Sequence, residues 1–140
     1  MKRSMIASIM ALALLLVACG GGQVDVAATG TLLGKIEERD LGPGRLASAT
    51  FDLSPGSYVL ICNLSGHYKQ GMYAPFQVTQ TVGPRQTTVG IELGEWFVRP
   101  QSSSATAGSI TFQTTNKGKS EHNLVVIKTD LAPDALVIAG

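Results

Sequence analysis

Cys62, His67 and Met72 place a thiol, an imidazole and a thioether in one short stretch, with the spacing Cys-x4-His-x4-Met. Two histidines and one cysteine in a plane, with a long and weak axial methionine, form a trigonal site that holds copper for electron transfer. The chain has two histidines, so the second imidazole can only be His122, in Glu121-His122-Asn123 ahead of the apolar run Leu124-Val125-Val126-Ile127. Taken singly, each residue has an ordinary reading. Cys62 would be a small buried hydrophobe, each histidine a surface or core residue, and Met72 a core methionine. The combination at this spacing predicts one copper ion held by Cys62, His67, His122 and, axially, Met72.

Strands must position these groups, because on a helix steps of five residues would land on different faces. Tyr58-Val59-Leu60-Ile61-Cys62 is a run of β-formers that delivers the thiol at its end, and Ala74-Pro75-Phe76-Gln77-Val78 opens another strand after the loop. Residues 47–53 alternate as a half-buried strand, and Ser54-Pro55-Gly56-Ser57 is a tight turn. Residues 109–114 alternate with Ile110 and Phe112 inward, residues 116–119 form a turn, and His122 opens a strand over 123–128. Residues 24–38 read as a helical turn or loop, 79–90 as a polar connection, 91–98 as a strand or its approach, and 99–104 as loop. The tail, 129–140, has no clear element.

At 140 residues the chain suffices for one domain with its own core. Charged residues make up 15% and the net charge is +1, which leaves no electrostatic footprint for nucleic acid. Few aromatics, many glycines and abundant Val, Thr and Ile favour an all-β fold. Lys2 and Arg3 precede an apolar run, 5–17, that is shorter than the roughly 20 residues of a membrane-spanning helix. Leu16-Val17-Ala18-Cys19-Gly20 resembles a bacterial lipoprotein signal. That resemblance implies a signal peptide over 1–18, lipidation of Cys19, a flexible tether over 19–23, and export to the periplasmic or extracellular face of a membrane. With Cys19 acylated, Cys62 has no partner for a disulfide, and a lone thiol in an oxidising compartment is a liability unless a metal holds it.

The stretch 53–72, with its Cys-x4-His-x4-Met loop, resembles the C-terminal part of a cupredoxin and is similar to the rusticyanin and sulfocyanin-like members. Residues 100–127, with Ala107-Gly108, Asn116-x-Gly118 and His122-Asn123, look like the N-terminal half of the same family. The resemblance implies a Greek-key β-sandwich over 24–140 and one type 1 copper ion. Cupredoxins place the histidine strand first and the ligand loop near the end, whereas in this chain the loop comes first. The chain therefore looks circularly permuted, with 24–79 as the family's C-terminal half, 80–90 as the connection and 91–140 as the N-terminal half. Exchange of halves between two molecules, and a fragment cut across two tandem domains, are the competing arrangements.

By the same resemblance His67 passes the electron at the surface, and Asn123 ties the two ligand segments together. Gly66 and Gly71 permit the loop's backbone geometry, and Tyr68, Tyr73 and Pro75 rim His67 for docking a redox partner. Two histidines cannot build the extra clusters of copper oxidases or copper nitrite reductases, and one loop cysteine cannot build a binuclear centre. The expected function is a membrane-tethered, non-enzymatic carrier of single electrons between a protein donor and acceptor. The alternatives are a copper-delivery lipoprotein and a metal-free structural module.

Overall fold

A computed structural model describes residues 24–80 and 86–138. The signal peptide 1–18, Cys19, the tether up to residue 23, and 81–85 of the expected connection lie outside the described residues. A single helical turn, α1 (Val26–Thr29), precedes β1 (Thr31–Ile36), β2 (Leu46–Leu53), β3 (Gly56–Ile61) and β4 (Tyr73–Thr79). Then come β5 (Gln86–Gly94), β6 (Phe97–Pro100), β7 (Ser104–Thr106), β8 (Gly108–Asn116) and β9 (Leu124–Lys128). No helix among the described residues is long and apolar enough to cross a membrane.

The strands make two sheets, one ordered β1-β9-β3-β4-β7 and the other β2-β8-β5-β6. Neighbours are antiparallel except β4 with β7 and β5 with β8, which are parallel. The all-β sandwich expected from the sequence is the observed architecture. Period-two alternation builds its interior. Ala74, Phe76 and Val78 of β4 face Val89, Ile91 and Leu93 of β5 and Ile110 and Phe112 of β8 in one buried cluster. Phe112 joins the layers: its ring lies 5.3 Å from Phe76 of the facing sheet and 6.0 Å from Phe51 of its own.

The central strands β3 and β9 are buried on both faces, as a run without polar positions requires. Tyr58, Leu60, Leu124 and Val126 point into the sandwich. Val59, Ile61, Val125 and Ile127 meet an outer layer made by Val24, Tyr68 and Leu136. Burying each such side chain is worth about 1.5–3 kcal/mol. The two ends of the described chain therefore have a structural task. They also meet: Val24 bridges Ile138, and the Asp25 N–H donates to the Val137 carbonyl at 2.8 Å.

Four segments differ from the sequence reading. In 99–104, read as loop, β6 runs on to Pro100 and β7 starts at Ser104. Residues 31–36 form β1, an edge strand paired to β9 with a bulge between Leu32 and Gly34. Leu32 and Leu33 are exposed, so the alternation that marks a half-buried strand is missing there. The polar connection is shorter than 79–90, because β5 begins at Gln86 and its Val89 already points into the core. Residues 91–98 are not one element but the end of β5, a turn at Glu95 and Trp96, and the start of β6, with Gly94 paired to Phe97.

Candidate metal centre

β3 ends at Ile61, so Cys62 emerges at one end of the sandwich with no exposed surface. Its N–H donates to the Met72 carbonyl at 3.0 Å, and the Met72 N–H donates to the His67 carbonyl at 3.2 Å. These bonds close the 62–72 loop into a compact ring, with a short 3₁₀ turn over Tyr68–Gln70. Gly66 and Gly71 have φ of 80° and 108°, a region that side chains disfavour.

His122 reaches the same point from the segment between β8 and β9. Buried Asn116 shapes that segment: its Nδ2 donates to the Leu41 and Ser120 carbonyls at 2.7 and 2.8 Å, and its Oδ1 accepts from the Gly118 N–H. The His122 N–H donates to the Leu41 carbonyl at 3.3 Å. Asn123 links the two ligand segments. Its N–H points at Cys62 Sγ at 3.4 Å, and its Oδ1 accepts the Asn63 N–H at 2.7 Å.

The three donor atoms converge. Cys62 Sγ lies 3.4 Å from His67 Nδ1 and 3.9 Å from His122 Nδ1, and the two nitrogens are 3.2 Å apart. Metal bonds of about 2.0 Å to nitrogen and 2.3 Å to sulfur, spread in a plane, would separate such donors by roughly 3.5–3.8 Å. The set thus fits one metal ion, and a thiolate with two imidazoles suits copper. Met72 is fully buried in the same apolar cluster as Cys62, and its thioether is the fourth group of the expected set.

Burial pushes the Cys62 thiol above its ordinary value, against the pull of the Asn123 N–H. Burial pushes both imidazoles down; the neighbouring His67 adds to this at His122, and the Glu95 carboxylate opposes it at each. The metal-free site at neutral pH therefore holds one protonated thiol and two neutral imidazoles. Copper binding at pH 7 should release about one proton, from Cys62, and none from the histidines. Calorimetry in buffers of differing ionisation enthalpy reads this number directly, and a release near zero would contradict these protonation states.

Two site neighbours carry no sequence signal of their own. Glu95 and Trp96 occupy the β5–β6 turn, and between them they touch both imidazoles. The Trp96 ring stands edge-on to His67 at 4.9 Å and is 39% exposed. Glu95 Oε1 lies 3.4 Å from His122 Nε2. Only a hairpin assignment for 91–98 would bring the turn toward the site. Tyr68 requires a correction. It is buried, its hydroxyl donates to the Pro133 carbonyl at 2.8 Å and accepts from the Leu136 N–H at 3.0 Å, and so it anchors the tail instead of rimming His67. Tyr73 packs against Tyr68 at 5.3 Å in the outer layer, and Pro75 is exposed farther along β4.

A family model described as the Sulfocyanin (SoxE) domain matches residues 19–88, a span that contains Cys62, His67 and Met72 and stops before His122. Searches of curated proteins and of solved structures gave no match. The matched half of the chain, together with a second half that returns His122 to the thiol, shows that the chain belongs to the sulfocyanin family of cupredoxin-type blue copper proteins.

Proposed function

We propose that this protein is a single-electron carrier, exported and tethered to a membrane through lipid on Cys19, that passes electrons between a protein donor and a protein acceptor. The reading rests above all on the convergence of Cys62 Sγ, His67 Nδ1 and His122 Nδ1 at one buried point. Cys62, His67 and His122, with the Met72 thioether as a fourth donor, would hold copper, which supplies one-electron Cu(II)/Cu(I) chemistry when bound. The chain's own task is to hold the donors still. Cys62 is held from β3 and by the Asn123 N–H, and His122 by the Leu41 carbonyl. His67 is held within a loop closed at Cys62 and Met72. A site fixed in this way needs little rearrangement when the charge changes. The half-exposed His67, with Trp96 against its ring, is the proposed exit for the electron.

Circular permutation is part of the same proposal. Support comes from the meeting of Val24 with Ile138, where the family's order would run on from strand to strand. It comes also from the strand order, in which the ligand loop precedes the histidine segment and both reach one site within a single chain.

Repeated reduction and reoxidation of the copper-loaded full chain in the presence of a Cu(I) chelator tests the carrier role. A carrier keeps its copper through many cycles. Transfer of the metal to the chelator at the first reduction would instead identify a delivery protein.

A further inference from the structure

His122 Nε2 is a buried nitrogen with no hydrogen-bond partner, and the Glu95 carboxylate faces it at 3.4 Å. The carboxylate is itself fixed. Its Oε1 accepts from the Ser120 N–H at 2.8 Å and the Lys119 N–H at 2.9 Å, and its Oε2 lies 3.1 Å from the latter. Gly118 leaves room for this approach, since a Cβ there would stand 2.6 Å from Glu95 Oε1. Backbone N–H donors gathered on one carboxylate suit its charged form. An ionised carboxylate only accepts hydrogen bonds, so it favours a proton on the nitrogen that faces it.

We propose that Glu95 is a positioning residue for the copper centre: it selects the Nε2–H tautomer of His122, aims the Nδ1 lone pair at Cys62 and His67, and adds a fixed negative charge behind that ligand. A carboxylate behind a ligating imidazole raises its basicity. Added negative charge would favour Cu(II) over Cu(I), so Glu95 would oppose the Met72 thioether in setting the balance between the two states. The proposal rests on the copper reading of the site. It goes beyond that reading by assigning a role to a residue outside the ligand loop and outside the matched span.

The test compares the full chain with its Glu95→Gln and Glu95→Ala variants. Glutamine retains an oxygen that can accept from Lys119 and Ser120 but removes the charge, so a residue that merely caps this turn would be rescued by it. The expected result is a Cu(II) affinity roughly tenfold to a hundredfold lower in Glu95→Gln. Cu(I) affinity should fall less, and the reduction potential should rise. In metal-free protein, ¹⁵N shifts of His122 should show Nε2–H in the wild type and a mixture of tautomers in Glu95→Ala. An unchanged Cu(II) affinity and potential in Glu95→Gln would overturn the proposal, as would a wild-type His122 protonated on Nδ1. If the wild type gave no copper band at all, the copper reading would fail, and the metal-free tautomer would still decide whether Glu95 positions His122.

Discussion

Changing Cys62 to serine should abolish the thiolate-to-copper absorption completely while leaving the sandwich folded. Cys62 is the only free cysteine among the described residues. A serine hydroxyl is a hard donor and stays protonated at neutral pH, so it cannot supply the covalent copper–sulfur bond behind an intense visible band. The structural cost is small. Serine is nearly the same size, and the Asn123 N–H that points at Sγ can point at an oxygen instead. The metal-free variant should unfold within about 1 kcal/mol of the wild type, in the range of a single hydrogen-bond adjustment. Denaturant unfolding beside the copper spectrum measures both. A variant that kept the band would remove Cys62 from the site.

The largest effect on stability is expected far from the metal. Phe112 is fully buried on β8 and its ring touches Phe76 across the sandwich and Phe51 within its own sheet. Phe112→Ala removes contacts on both sides and leaves a cavity that two paired sheets cannot easily close. The expected loss is about 3–5 kcal/mol. For a domain whose whole stability is of order 5–15 kcal/mol, that leaves a large unfolded fraction or none folded at all. Urea titration of the metal-free protein reads the change. Leu46→Ala is the control: Leu46 is 56% exposed, and its loss should stay within about 0.5 kcal/mol. A Phe112 effect as small as the control would mean that the core does not close as described.

What is legible in the sequence is local. Cys62, His67 and Met72 lie in one loop between two strands of β-formers, and spacing alone gathers them. Simple alternation points Ile110 and Phe112 inward, and both are fully buried. Where a strand lacks that alternation the signal fails: β1 lies at an edge, carries exposed leucines, and takes its order from pairing with β9. The polar start of β5 is hidden for a related reason, since Gln86, Thr87 and Thr88 are held by parallel pairing with β8 and not by burial of large apolar groups. Tyr68 misleads because an aromatic next to a surface histidine suggests a docking rim, while its hydroxyl partners are in the distant tail at Pro133 and Leu136. Glu95 and Trp96 show the same difficulty in reverse. Nothing near them in the chain shows that the β5–β6 turn comes to rest against both imidazoles.

That both halves of the chain build one copper site is tested most directly by titrating the full chain, purified in detergent, with Cu(II) while recording its visible spectrum, alongside His122→Ala. The account predicts an intense blue or green band that saturates at one equivalent and is lost in His122→Ala, because the trigonal site then lacks its second imidazole. A folded chain that took up Cu(II) without such a band, or a band that persisted unchanged in His122→Ala, would contradict it.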